Sequence, residues 1–189
     1  CALAGALASA LVSMVANLTF AKSTASTAAL AEKRQLVAVQ SEAEALRLRL
    51  TALMDADADA YERVIAAYRL PRVTPVEKAA RRQAIEEALH EATRVPLEIA
   101  TCCAQALALA EATVRLGSRS VASDAGAAAY LAEAGARAVL LNVEVNLGSI
   151  KDEAFAAMAR QQQAALLAAL PAARDAALAA MQAALTKGG

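Results

Sequence analysis

Fifty-six of the 189 residues are alanine and another 25 are leucine. Alanine is the best helix former and a poor strand former, so a chain this rich in it is predicted to be all-α. From Ala28 to Leu70 the sequence contains neither Gly nor Pro, and an uninterrupted stretch of that length calls for a long helix. Hydrophobic residues make up 58% of the chain, which excludes intrinsic disorder. Three cysteines in a chain of this size exclude a disulfide scaffold. The length suits one domain spanning 1–189, and no internal repeat or linker divides it. Nineteen basic residues balance nineteen acidic ones, so no global field draws the chain to nucleic acid. Three Tyr, two Phe and no Trp leave little for stacking on bases.

Residues 1–21 carry no charge. Such a run is just long enough to cross a membrane, but alanine adds little to insertion, and Ser9, Ser13 and Asn17 lower its apolar average. The expectation is therefore a helix buried on all sides in a bundle, without a membrane partner. Gly5, Ser9, Ser13 and Asn17 recur at i, i+4, a stripe along which another backbone can come close. Cys1 stands where a full chain would have Met, which points to a start inside a longer sequence.

Punctuation along the chain sets the other helices. The hydroxyl-rich residues 22–27 are predicted to form a loop. Leu36, Val39, Ala43, Leu46, Leu50 and Leu53 then keep helical spacing up to Leu70-Pro71. Thr74-Pro75-Val76-Glu77 supplies an N-cap, a Pro at the first helical position and a capping-box Glu. The helix it opens is expected to run to Leu116 with a kink or break at Val95-Pro96, and to stop at Gly117. Ser123 or Asp124 is expected to cap a helix reaching Leu147, and a last helix occupies residues 151–185. The apolar surface of the first two helices exceeds what one small bundle covers, which favours a homodimer joined through helices.

Six segments together resemble a known family. They are MVANLT at 14–19, LMDADADAY at 53–61, LP at 70–71, VPLEIA at 95–100, SVASDAGAAA at 120–129 and NVEVNLGSIKDEAF at 142–155. In this order and spacing they look like the cyclodeaminase/cyclohydrolase family. It includes the cyclodeaminase half of formiminotransferase-cyclodeaminase and stand-alone methenyltetrahydrofolate cyclohydrolases. The resemblance reaches from residue 1 to about 160. It implies an all-helical dimer acting on a one-carbon derivative of tetrahydrofolate, and of the two activities the hydrolysis of 5,10-methenyltetrahydrofolate is the first expectation, since no formiminotransferase part accompanies the chain. Cyclodeamination with release of ammonia is the alternative; a helical scaffold without activity is a third reading. Neither reaction requires a metal, so no metal and no cofactor beyond the folate substrate are expected.

Both reactions need groups that manage protons. Asp55 and Asp57 match the family motif, and Asp124 lies in the SDAG segment; these three are the catalytic candidates. Asp is a poor mid-helix residue, yet an acidic run including Asp59 and Glu62 is equally what a solvated helix face looks like. Ser123 and Gly126 accompany Asp124 at a helix start, where free N–H groups gather. Asn17, Asn142 and Asn146 are amides in apolar helices. They could hydrogen-bond a pteridine edge or each other across helices. After MVANLT the chain reads FAKSTAST, which leaves Lys22 to meet the anionic glutamate tail of a folate, with Lys33 and Arg34 further on. The sole histidine, His90, is expected to be an ordinary exposed residue. Cys102 and Cys103 point about 100° apart on a helix and are expected in the core. Free thiols fit a reducing cytosol, and the expected location is cytoplasmic.

Overall fold

The computed structural model describes residues 1–22, 27–117 and 119–186. Five helices account for nearly all of it: α1 (Ala2–Lys22), α2 (Thr27–Arg69), α3 (Pro75–Leu116), α4 (Ala122–Leu147) and α5 (Glu153–Thr186). A single 3₁₀ turn, Arg119–Val121, precedes α4, and no strand occurs among the described residues. The all-α expectation holds. The loop expected at 22–27 lies largely outside the described residues.

The helix boundaries follow the local chemistry. Thr74 accepts a hydrogen bond from the Glu77 N–H, and the Glu77 carboxylate in turn accepts the Thr74 N–H at 2.8 Å. The backbone N–H of Thr74, joined by that of Val73, holds the Glu77 carboxyl below its ordinary range. Two corrections apply. α4 begins at Ala122 behind Val121, which makes no side-chain cap, so neither Ser123 nor Asp124 is the N-cap. α3 also continues through Pro96 without a break.

α3 packs against each of the other four helices, and α1 lies between α2 and α4. One close approach centres on Cys103 of α3. A Cβ on Gly5 of α1 would collide with the Cys103 sulfur, and one on Gly135 of α4 would lie 3.3 Å from it. A side chain is excluded on one side of the thiol and crowded on the other, where three helices come together. The hydroxyl of Ser9 in the same stripe donates to the Gly5 carbonyl at 2.9 Å and needs no other partner. Asn17, the fourth member, points to solvent. A second tie is Glu133, buried on α4, which pairs with Arg137 at 2.8 Å and with Arg174 of α5 at 3.0 Å.

By length and composition α1, α3 and α5 could each cross a membrane. In the bundle α1 is buried along one side only. Its outer side presents Leu3, Leu7, Met14 and Leu18, so the expectation of a helix covered all round is corrected: one chain covers half of it. α2, at 43 residues, is about 65 Å long and twice the length of α1, so the α2–α3 hairpin extends well past α1.

Replacing Gly5 by Ala should overpack this crossing and cost about 1–3 kcal/mol. Adding Cys103→Ala should recover part of that loss, because it removes the atom the new methyl meets. Urea unfolding of both single variants and the double variant measures the coupling, and strict additivity would mean that the crossing relaxes elsewhere.

Candidate functional site

The sequence-nominated residues separate into two groups at opposite ends of α4, about 30 Å apart along its axis. At the α4 start lie Asn17, Lys22, Ser123, Asp124 and Gly126. Lys22 Nζ donates to Ser120 Oγ at 2.7 Å and fastens the end of α1 to the 3₁₀ turn. Ser123 is exposed and Asp124 half-exposed in the first turn. Gly126 is buried, and a Cβ there would meet the Met181 sulfur of α5; helix packing accounts for this glycine. A depression of about 450 Å³ at this end includes Arg115, Gly117 and Arg119, but none of the five nominated residues lines it.

Towards the C-terminal end of α4 the arrangement is different. A groove of about 490 Å³ lies between α2, α3 and α4. Met54, Asp57, Ala58, Tyr61 and Val64 line it from α2, Ala92 and Pro96 from α3, and Asn142, Val145 and Asn146 from α4. Three nominated residues, Asp57, Asn142 and Asn146, are thus brought together. Asp55 is two residues away but exposed and outside the groove.

Pro96 shapes this groove. Having no N–H, it leaves the carbonyl of Ala92, four residues earlier, without its helical donor. Asn146 Nδ2 supplies the missing hydrogen bond at 2.6 Å across the α3–α4 interface, which explains both the unbroken helix and the amide in an apolar segment. The Asn146 carboxamide is therefore fixed in place. The Asn142 amide, one turn earlier, makes no hydrogen bond among the described residues and is exposed at the groove. Together they offer a carboxylate and an amide above apolar walls formed by Met54, Val64, Pro96 and Val145. That set suits a flat heterocycle with donors and acceptors along its edge.

Tyr61, Pro96 and Val145 were not nominated from the sequence, although each falls inside one of the segments that carried the resemblance. His90 corrects another expectation. Its side chain is only 16% exposed and stacks on Phe155 of α5, with ring centroids 3.9 Å apart and planes 13° apart. Its Nε2 lies 3.5 Å from Glu86 and 3.9 Å from Asp152. Among the described residues no three His, Cys, Asp or Glu side chains gather as metal ligands. Burial pushes the Cys103 thiol up to about 12, and Cys102 is raised by burial and then by the Glu98 charge. Both stay protonated at neutral pH and are poor nucleophiles.

Residues 1–165 match the formiminotransferase-cyclodeaminase family, and the chain belongs to that family. It is 41% identical over 167 residues to a methenyltetrahydrofolate cyclohydrolase of Methylorubrum extorquens, covering 88% of this chain and 78% of that one. It is 37% identical over 119 residues to the formimidoyltransferase-cyclodeaminase of Sus scrofa, covering 63% of this chain and 22% of that longer protein. The crystal structure of formiminotetrahydrofolate cyclodeaminase from Thermotoga maritima superposes with a TM-score of 0.81 at 25% identity, over 96% of this chain and 85% of the other.

Replacing Asn146 by Ala should cost about 1–3 kcal/mol by orphaning the Ala92 carbonyl. In a Pro96→Ala background that carbonyl regains a helical N–H, so the same change should cost markedly less. Denaturant titration of the four proteins tests this; an equal cost in both backgrounds would refute the link.

Proposed function

We propose that this chain is a methenyltetrahydrofolate cyclohydrolase. The observation that carries the reading is the groove where Asp57 meets the amides of Asn142 and Asn146 over an apolar floor. The 41% identity to a cyclohydrolase, across most of both chains, supports the choice of reaction. The bridging carbon of 5,10-methenyltetrahydrofolate is an amidinium-like electrophile. Water adds its oxygen to that carbon, the bond to N5 breaks, and 10-formyltetrahydrofolate leaves with the net release of one proton. In this reading the Asp57 carboxylate accepts a proton from the attacking water and returns one to N5. Asn142 binds the pteridine edge, Asn146 holds the wall of the groove, and no metal or further cofactor takes part.

The likeness to a cyclodeaminase across almost the whole fold favours one alternative, closure of the formimino adduct with loss of ammonia. The same groove would serve, with Asp57 protonating the departing nitrogen. The two readings separate on substrate: loss of methenyltetrahydrofolate absorbance, corrected for spontaneous hydrolysis, marks the first, and ammonia release from formiminotetrahydrofolate the second. Asp57→Asn should lower turnover about 10²–10⁴-fold, the usual worth of a general acid–base group. Asp59→Asn, on an exposed face outside the groove, should stay within about twofold. Equal effects at both positions would remove Asp57 from the chemistry.

The reading includes a cytoplasmic homodimer with a small-molecule substrate and no nucleic-acid or membrane partner. The outer side of α1, with Leu3, Leu7, Met14 and Leu18 exposed at helical spacing, is the face we assign to the second copy. Light scattering of detergent-free protein should give twice the 19.4 kDa chain mass. Leu7→Lys combined with Met14→Lys should lower it to one. A wild-type monomer at micromolar concentration would remove the dimer.

A further inference from the structure

We propose that Tyr61 sets the charge preference of the groove: its ring face holds the cationic methenyl bridge of the substrate and has no such hold on the uncharged formyl product. This rests on the cyclohydrolase reading above.

Tyr61 follows Asp57 by four residues on α2, about 6 Å further along the same helix face. Both residues line the groove. The Tyr61 side chain is 66% exposed, so an aromatic surface is left open beside the amides and aliphatic walls. The other rings of the chain show what covers such a face in this protein. Of its three Tyr and two Phe, Phe20, Tyr68 and Phe155 each have a cation over the ring. Lys33 lies 5.3 Å from the centre of Phe20, Arg81 lies 5.6 Å from that of Tyr68, and Arg94 lies 5.2 Å from that of Phe155. Tyr61 has neither a cation nor a second ring over it among the described residues.

The charge around the ring points the same way. Asp57 is the one charged side chain among the described residues that line the groove. Asp55, Asp59 and Glu62 stand beside it on α2 and form no ion pair among the described residues. From Leu53 to Glu62 the helix thus carries four carboxylates and no Lys or Arg. That setting attracts positive charge, and an uncovered aromatic face is the group that meets a flat cation through apolar contact. The methenyl bridge is such a cation, its charge shared between N5 and N10. Addition of water ends that charge: the bond to N5 breaks, one proton leaves, and the formyl group is neutral. A contact with Tyr61 is therefore made by the substrate and given up by the product, which favours release in the direction of hydrolysis.

The test compares a cationic with a neutral ligand. Tyr61→Leu keeps apolar bulk and removes the aromatic face; circular dichroism shows whether it folds. It should raise KM for 5,10-methenyltetrahydrofolate about three- to thirtyfold, the range of a cation–π contact from exposed to desolvated. The value of kcat should not fall, because the charge is already leaving the bridge as water adds. Inhibition by 10-formyltetrahydrofolate, which lacks the charge, should stay nearly unchanged. Tyr61→Phe keeps the ring face and should match the wild type with both ligands. Equal weakening of both ligands in the Leu variant would mean that the ring supplies apolar area only, and a Phe variant as impaired as Leu would move the role to the hydroxyl; either result overturns the proposal. If the wild type turns over no methenyltetrahydrofolate, the cyclohydrolase reading fails. Calorimetric titration with the same compound then decides the role of Tyr61 alone: weaker binding to the Leu variant supports it, and absent or equal binding overturns it.

Discussion

The fold depends on how closely three helices can approach one buried thiol. Cys103 sits between Gly5 and Gly135 with no room for a Cβ at Gly5 and little at Gly135. That contact sets the separation of α1, α3 and α4 at mid-bundle. The surrounding core is largely alanine, with Ala8, Ala100, Ala106, Ala128, Ala132 and Ala136 fully or almost fully buried. Small side chains make such a core shallow. Each contributes little apolar area, so stability comes from many close backbone contacts, in which dispersion adds up over short distances. Larger residues at these positions would move the helices apart and change the width of every groove between them.

That dependence reaches the site. The groove lies between α2, α3 and α4, and Pro96 places an apolar ring in its wall where a helical N–H would otherwise be. A proline inside a 42-residue helix is normally destabilising. Here the freed carbonyl is taken by an amide from the facing helix, so the defect becomes a tie between α3 and α4. The same amide borders the groove. Structure and site therefore share Asn146, which limits the freedom of this position to change.

Much of the architecture was legible in the sequence because its signals are local. The Thr74-Pro75-Val76-Glu77 box fixed the start of α3 at the residue named, and the lack of Gly and Pro from Ala28 to Leu70 set the extent of α2 to within one residue at each end. What was missed depends on partners distant in sequence. Pro96 was read as a kink or break because its rescue comes from residue 146, and His90 as exposed because its cover, Phe155, lies on another helix. Ser123 and Asp124 have the right chemistry for a cap, but the helix already starts behind the preceding 3₁₀ turn, with Val121 at the cap position, two residues before Ser123 and three before Asp124. The amphipathic signal of α1 was weak, since alanine suits both a buried and an exposed side, and its bare outer face appeared only in three dimensions.

The candidate site was legible in part for the same reason. The sequence and its family resemblance nominated Asp57, Asn142 and Asn146, which the structure brings to one groove, but they nominated Asp55, Asp124 and Lys22 with equal force. Only the length of α4 separates Asp124 and Lys22 from that groove: two places about 30 Å apart on one straight helix cannot touch the same reacting atom. Residues at the α4 start can join that site only by coming from a second copy of the chain.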